Sequence, residues 1–568
     1  MRLVNTLHFR NLRGDLFGGL TAAIVALPLA LAFGVSSGAG AIAGLYGAIF
    51  VGFFAALFGG TPSQISGPTG PMTVVIATVF LAFRTPDDPK VGLAMAFTTI
   101  MLGGIFQIIF GLMRLGKYVT LIPYTVISGF MSGIGVIIII MEIAPFLGHE
   151  VSADVIESLK NIPYFLTHAS PGATALGLLT LGIVFIAPAK LNKIIPAPLL
   201  ALIVGTLVSV YIFPNILPDF DIARIGDIPQ GLPKLQRPVW DLSQMRTIVG
   251  YGLMLAALGA IDSLLTSLVA DNITQTQHNS DKELIGQGIG NLISGLFGGL
   301  PGAGATMRTV INVQAGGKTA VSGIIHALVL LIIVLQAGSL TSNIPHTVLA
   351  GILIKVGIDI IDWSFIKRAH KVSFKATALM YGVLLLTVFV DLITAVAIGI
   401  FIANLLAMKR LSDLQIDNIK AAATPHEELR LSHEENNILR QAGGDIILFR
   451  FGGPMSFGAA KAISQQMSIV EDYPVLILDM SDVPYIGVTA SLAIENIVKE
   501  ACGKRREVFL VGASGGVKAR LNRLQIWERL PERNRETNRL EALRQGIKLV
   551  NGYSASHERT KIRINHRS

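Results

Sequence analysis

Ser66-Gly67-Pro68-Thr69-Gly70-Pro71-Met72-Thr73-Val74 and Pro301-Gly302-Ala303-Gly304-Ala305-Thr306-Met307-Arg308-Thr309-Val310 are the two stretches on which the reading of this chain turns. Each is a loop of small residues that opens into a short apolar helix, and the two stand at similar depths in the two halves of a very hydrophobic sequence. Irregular backbone at membrane depth survives only where it is buried in protein or lines a cavity, because lipid cannot pair its N–H and C=O groups. A matched pair of broken apolar segments therefore marks an inverted-repeat secondary transporter, with half-helix N-termini aiming free N–H groups at whatever fills the space between them. The competing reading is two Gly/Pro kinks in ordinary transmembrane helices.

Composition agrees with a membrane protein. Of 568 residues 51% are hydrophobic and only 15% charged, with a mean hydropathy of +0.60, which excludes an ordinary soluble protein. Arg2, Arg10 and Arg13 ahead of an apolar run imitate a signal peptide, but the run at 16–36 is longer than a signal core and reads as a first, uncleaved span. The single cysteine, Cys502, excludes an internal disulfide framework. The formal net charge of +9 does not point to nucleic acid, because the basic residues flank spans: Arg10 and Arg13, Arg114 and Lys117, Lys190 and Lys193, Lys367, Arg368, Lys371 and Lys375, Lys409 and Arg410. The positive-inside rule then puts both termini and the C-terminal region in the cytoplasm, on the inner face of the plasma membrane.

About fourteen segments are long and apolar enough to cross or enter a bilayer, counting two half-helices: 16–36, 41–58, 70–83, 91–113, 123–146, 171–188, 195–213, 247–269, 284–300, 305–314, 319–336, 345–361, 375–390 and 392–408. Split in the middle, they give two sevens whose third members are the broken ones. An odd number of spans per repeat inserts the second half upside down, so the expectation is a 7+7 inverted repeat with its site where the two half-helices meet. Residues 1–410 make this transport domain and 411–442 an acidic linker. Residues 443–550 alternate short β-branched runs with amphipathic helices (445–451, 459–470, 475–479, 488–502, 508–511, 517–524), the pattern of a small α/β domain. Residues 551–568 form a basic tail without an apolar face, expected to be disordered.

Asp262 lies inside the eighth span, where a carboxylate costs roughly 2.5–3.5 kcal/mol on insertion scales. Thr266 is one helical turn on and shares its face. Asp262, Thr266 and the carbonyls of Gly302 and Gly304 form an all-oxygen set suited to a hard cation such as Na⁺. A structural ion pair with Arg308 and a proton-coupling carboxylate stand beside that reading. Arg308 offers a planar donor fork to a small oxyanion such as bicarbonate or sulfate, helped by the half-helix N-termini near Thr69-Gly70 and Ala305-Thr306; its alternative is to snorkel to the cytoplasmic surface. Glu142, late in the fifth span, is read as facing the outer interface. Gly316-Gly317-Lys318-Thr319 lacks the first glycine of a phosphate-binding loop and has no strand leading in, so nucleotide binding is rejected. No Cys/His set has zinc spacing and no nucleophile–base pair suggests an enzyme.

The opening Asp15-Leu16-Phe17-Gly18-Gly19-Leu20-Thr21-Ala22-Ala23-Ile24-Val25-Ala26-Leu27-Pro28, with Gly67-Pro68-Thr69-Gly70-Pro71 and the spacing from Arg308 to Gly316-Gly317-Lys318-Thr319, resembles the SulP anion transporters, and the C-terminal α/β segment is similar to their STAS domain. Within that family the chain most resembles the sodium-dependent bicarbonate transporters of cyanobacteria. The resemblance implies a core and a gate domain of fourteen segments, with half-helices 3 and 10 holding the anion (Thr69, Gly70, Ala305, Thr306, Arg308) and Na⁺ beside it at Asp262, Thr266, Gly304 and Thr306. Many SulP members that look proton-coupled have Glu where Asp262 stands. Regulatory STAS domains carry an Asp-Ser-Ser/Thr-Gly turn; here Gly487-Val488-Thr489-Ala490-Ser491 keeps only Thr489 at the acceptor position. The resemblance further implies Na⁺-coupled bicarbonate uptake, no cofactor beyond the coupling ion, and a homodimer to which the STAS domain contributes. The alternatives are a SulP transporter of sulfate or another small anion driven by H⁺ or Na⁺, and a membrane-tethered STAS signalling protein.

Overall fold

The computed structural model describes residues 4–5, 9–83, 89–150, 155–188, 191, 195–213, 222–226, 233–336, 342–390, 392–417, 419–422, 431–467, 473–535 and 538–565. Arg2, Lys190, Lys193 and the end of the helix expected over 459–470 lie outside them. Contacts divide the chain after Ala403 into two units.

The first unit is helical: α1 (Leu12–Ser36), α2 (Ala41–Phe58), the two-residue strand β1 (Ser66–Gly67), α3 (Gly70–Ala82), α4 (Pro89–Leu112), α5 (Tyr124–Phe146), α6 (Val155–Thr167), α7 (Pro171–Ile186) and α8 (Ala197–Leu207, extended by a π turn over Val208–Ile212). The second half repeats the plan with α9 (Met245–Thr274), α10 (Ser280–Leu296), the strand β2 (Ala303–Gly304), α11 (Thr306–Gln314), α12 (Ala320–Gln336), α13 (His346–Ile360), α14 (Trp363–Val372), α15 (Phe374–Phe389) and α16 (Leu392–Asp417). Every expected segment falls on a helix. Two amphipathic helices, α6 and α14, are additional. Among the described residues six helices are individually long and apolar enough to cross a bilayer; α3, α8, α12 and α15 are shorter apolar helices. Large apolar side chains such as Leu178, Ile186, Leu207, Ile332 and Phe401 stay exposed on these helices, as lipid contact requires.

Contacts between helices come in matched pairs: α4 with α10 and α12 with α2, α1 with α12 and α9 with α4, α5 with α15 and α13 with α7. Exchanging the members of one half for those of the other maps each pair onto its mate, which is the signature of a repeat. β1 and β2 pair antiparallel, Ser66 opposite Gly304 and Gly67 opposite Ala303, so the operation that relates them reverses chain direction along the span. The fold is thus a 7+7 inverted repeat. Its core group (α1–α4, α9–α12) and gate group (α5, α7, α8, α13, α15, α16) are each drawn tight by glycines. A Cβ at Gly104 would strike the Gly288 carbonyl and one at Gly288 the Gly104 carbonyl; Gly135 and Gly357 stand in the same reciprocal relation. Such backbone approach carries helix association where lipid offers no hydrophobic drive.

The second unit is built on a four-stranded sheet in the order β3 (Ile419–Ala422), β4 (Ile446–Gly452), β5 (Val475–Asp482), β6 (Glu507–Val511), with β3 antiparallel to β4 and the rest parallel. Alternate residues face opposite layers. Ile447, Phe449, Leu476, Leu478 and Leu510 meet α18 (Phe457–Met467) and α19 (Val488–Gly503), while Ile446, Leu448, Ile477 and Phe509 meet α17 (His433–Gln441) and α20 (Arg539–Asn565). Residues 411–442, expected as a linker, supply β3 and α17. The sequence signal was Ser432-His433-Glu434-Glu435, a capping box in which Ser432 Oγ accepts from the Glu435 amide and the Glu435 carboxylate accepts from the Ser432 amide. The closing helix continues through Asn565, into the stretch expected to be disordered.

Arg539 ties the two ends of this unit. Its Nε and Nη2 donate to Glu435 (2.8 and 3.2 Å) and its Nη1 to buried Asp479 (3.0 Å). Burial pushes the Glu435 carboxyl up, but Arg539 and the Ser432 amide outweigh it and hold the group below its ordinary value. Removing Arg539 leaves two mostly buried carboxylates unpaired, a loss of about 3–5 kcal/mol. Arg539→Met is therefore expected to expose this unit of the detergent-purified protein to limited proteolysis at temperatures where the wild type resists. Because Glu435 is depressed, its share of the stability is present at neutral pH and fades as pH falls below about 4.3, the ordinary glutamate value. Protease resistance that survives Arg539→Met unchanged contradicts this account.

Candidate functional site

The broken segments cross at the β1–β2 pair, and the side chains around it complete the pairing that the short ladder leaves open. The Ile65 amide donates to Thr309 Oγ1 (3.0 Å) and the Ala305 amide to the Ile65 carbonyl (2.9 Å). Asn291 clasps Gly302 with both ends of its amide, accepting from the Gly302 N–H (2.7 Å) and donating to its carbonyl (2.9 Å). The Gly304 amide donates to Ser263 Oγ (3.0 Å), and Arg308 Nη2 donates to the Pro68 carbonyl (2.5 Å).

One helix face holds both crossings. Along α9, Asp262 Oδ2 accepts from Thr69 Oγ1 (2.8 Å), and Thr266 Oγ1 donates to the Gly304 carbonyl (2.9 Å) and meets Thr306 Oγ1 at 2.7 Å. Ser267 Oγ reaches Gln64 Oε1 (3.0 Å) and Thr61 Oγ1 (2.7 Å). The Asp262-Thr266 spacing of four residues puts carboxylate and hydroxyl one above the other. Thr266, Gly304 and Thr306, three of the four residues expected to hold a cation, are in direct contact; the fourth, Asp262, is tied to the N-cap of α3. The alternative reading, an Asp262–Arg308 ion pair, is not what the two side chains make, since each bonds an atom of the Pro68-Thr69 hinge instead. Arg308 does not snorkel either: it is only 2% exposed.

The expected anion donors divide. Thr69 is the N-cap of α3 but makes no side-chain cap bond; its hydroxyl goes to Asp262. Pro71 follows Gly70 in the first turn, so α3 offers the Gly70 and Met72 amides, for which the described residues supply no acceptor. On α11 the Ala305 amide is spent on Ile65, which corrects Ala305 as a free backbone donor, and the free N–H groups start at Thr306. A narrow pocket with room for about one water opens at the start of α3, lined by Gly70, Thr73, Val74 and Ala77 with Phe33, Ser36, Ile138, Met141 and Leu353. Gly70 alone of the expected anion residues lines it. Arg308 stands behind the hinge, where its charge adds to the positive end of α3.

Sequence reasoning missed a polar stripe on α10. Glu283, Gln287 and Asn291 recur every four residues, a spacing that puts them on one helix face. Glu283 takes the Gly60 and Thr61 amides on Oε2 and the Gln64 and Gln287 side-chain amides on Oε1, each at 2.8 Å. This buried carboxylate fixes the approach to β1. Glu142, expected at the outer interface, is also buried, because Ser36 at the end of α1 lies over it and donates to Oε1 (2.6 Å). Gly317-Lys318-Thr319 wraps an internal anion: the Lys318 and Thr319 amides and the Thr319 hydroxyl donate to buried Asp15. In the second unit Thr489 is exposed in the first turn of α19, after an N-cap Gly487 that supplies no side-chain bond.

The family model described as the sulfate permease family matches residues 12–383, and that of the STAS domain matches residues 437–536. The bicarbonate transporter BicA of Synechocystis sp. is 54% identical over 96% of this chain and 96% of its own length. The solved transmembrane domain of a cyanobacterium bicarbonate transporter BicA, 56% identical, aligns with a TM-score of 0.65 over 69% of this chain and 100% of that one. The overall structure of SLC26A9 aligns at a TM-score of 0.82 over 97% of this chain and 92% of that one, with 18% identity, a likeness of fold.

Glu283→Leu strips the acceptor from two backbone and two side-chain donors, each costing about 1–3 kcal/mol when buried unpaired. The expected outcome is a large loss of monodisperse protein in size-exclusion chromatography after mild heating in detergent, with Glu283→Gln less affected because its carbonyl still accepts. Equal heat resistance of Glu283→Leu and the wild type refutes the anchoring role.

Proposed function

Because the chain belongs to the sulfate permease family, we propose that it is a secondary transporter carrying bicarbonate into the cell together with Na⁺ across the plasma membrane. The observation that carries the reading is the contact of Thr266, Gly304 and Thr306 oxygens one turn from Asp262, at the crossing of two half-helices. Oxygen donors of this kind match a hard cation with little preference for soft ligands. Na⁺ is cargo there, with Asp262 supplying the charge and the Thr266 and Thr306 hydroxyls and Gly304 carbonyl the neutral oxygens. Bicarbonate is received by the free amides at the start of α3 and α11, with Arg308 behind them. High identity to bicarbonate transporters along nearly the whole chain supports the choice of anion.

The charge balance suits a moving site. Asp262 and Arg308 offset each other without cargo, and one Na⁺ with one bicarbonate adds no net charge. Neither form then carries an uncompensated ion through low dielectric. The basic flanks of the spans support a cytoplasmic position for both termini and the STAS domain. Sulfate or another small anion is the second reading, favoured by the family's description and by backbone donors that accept several oxyanions.

Labelled bicarbonate is expected to enter proteoliposomes under an inward Na⁺ gradient and not under a matched K⁺ gradient at fixed alkaline pH. Vesicles that take up no bicarbonate in either gradient, yet accumulate labelled sulfate, select the second reading. Asp262→Asn is expected to abolish Na⁺-dependent uptake while the protein still elutes as the wild type does. Thr266→Val, which removes one oxygen and keeps the shape, should raise the Na⁺ concentration for half-maximal uptake by roughly tenfold, as the loss of about 1.4 kcal/mol would. Normal uptake by Asp262→Asn rules out its cation role, and a current that scales with flux rules out one-to-one stoichiometry.

A further inference from the structure

We propose that Ser36 and Glu142 form a latch that closes the outward side of the half-helix cavity, joining the core group to the gate group at the point where access from outside must open. The inference rests on the transporter reading, in which the two groups move relative to each other; it does not depend on which anion is carried.

Ser36 ends α1, in the core group, and Glu142 lies in α5, in the gate group. The Ser36 hydroxyl donates to Glu142 Oε1 at 2.6 Å. Glu142 is 3% exposed, and this is its hydrogen bond among the described residues. A carboxyl group has room for about four donors, and among the described residues Glu142 has this one protein donor, so its other oxygen depends on water. No stability argument explains such a group: an apolar residue of similar size would pack there without a desolvation penalty. It is explained if the carboxylate is buried only while the two groups are closed and gains water when they part.

Place supports the same conclusion. Ser36 lines the cavity at the start of α3, beside Gly70 and Thr73. Further along α3 a second, larger cavity of about 390 Å³ is walled by Thr78, Leu81, Tyr251, Thr387 and Phe389 among others. Val74 and Met141 line both cavities. One α3 side chain and one α5 side chain thus stand between the chamber at the half-helix and the larger chamber. The hydroxyls of Thr78 and Thr387 turn back onto their own helices, to Val75 and Val383 carbonyls, which leaves the larger chamber poor in groups that would hold an anion. Met141 precedes Glu142 in the chain, so parting Glu142 from Ser36 moves the Met141 wall with it.

The test introduces Ala77→Cys, on the wall of the inner cavity, into a Cys502→Ser background that carries no other thiol. A membrane-impermeant methanethiosulfonate is applied outside intact cells, and the labelling rate is normalised to the amount of protein in the membrane. With the latch intact labelling is slow. Ser36→Ala and Glu142→Leu are each expected to speed it by roughly three- to tenfold, the population shift that one hydrogen bond supports. Glu142→Gln keeps a carbonyl that accepts from Ser36 and is expected to label at the slow rate. Unchanged labelling in both Ser36→Ala and Glu142→Leu overturns the latch. So does fast labelling in Glu142→Gln, which would assign the effect to charge and not to the hydrogen bond. Failure of bicarbonate uptake with a normal labelling response removes the substrate reading and leaves the latch standing.

Discussion

The structure depends on pairing the backbone of two extended segments that cross inside a bilayer. Water is absent there, and each unpaired N–H or C=O costs several kcal/mol. A two-residue ladder cannot satisfy the strands around it. Thr309, Ser263, Asn291 and Arg308 therefore reach in to pair Ile65, Gly304, Gly302 and Pro68, and Thr266 takes the carbonyl that remains on Gly304. Once these residues are fixed, so are the helices that carry them. α9 and α10 must stand against the crossing, and α3 and α11 leave it in opposite directions because the pair is antiparallel.

The same constraint governs the buried acids. Glu283 and Asp15 lie in different halves of the repeat, and each grips a loop of the other half's broken segment. Glu283 holds the turn that leads into β1, and Asp15 the turn that follows α11. Both spend their lone pairs on donors that would otherwise be orphaned, so loop and carboxylate solve each other's desolvation. This also explains why Gly316-Gly317-Lys318-Thr319 looks like the end of a phosphate loop. Its amides do converge on an anion, and the anion is the chain's own aspartate.

Most of the fold was legible because hydropathy and breaks report directly on bilayer physics: each apolar run became a helix, and the Gly/Pro-rich loops at 66–70 and 301–305 became the crossing. Asp262 and Thr266 were legible for a related reason, since a carboxylate in an apolar span stands out. Glu283, Gln287 and Asn291 were harder to see. Their period of four was present, but the span around them, Ser280–Leu296, is polar enough to blur its own signal. Asn291 and Ser263 act on backbone rather than on each other, and no residue pattern announces a main-chain partner. Glu142 was misplaced because depth along a span says nothing about which face a neighbouring helix covers; only the fold brings Ser36 across it. In the soluble unit, β3 was too short for alternation to show, and the Ser432 capping box sat inside an acidic run that read as solvated chain.

Under the proposed function, α9 also supplies a reason for coupling. Asp262 holds the Thr69 hydroxyl, and Thr69 is the N-cap of the half-helix whose amides would receive the anion. Without a cation, the carboxylate offsets the positive charge of Arg308 and of that N-terminus, so the place draws an anion only weakly. A cation drawn to Asp262 cancels the carboxylate's charge and makes the same place more attractive. The anion in turn lowers the free energy of the cation, because coupling between two sites is reciprocal. Thr266, Gly304 and Thr306, which now satisfy one another, lose little when they turn toward an ion, since each oxygen exchanges one polar partner for another. A site that is internally satisfied when empty and electrically neutral when full needs no large rearrangement to switch between the two. Two of the residues that make it so, Asp262 and Thr266, are on α9, the helix that both broken segments meet.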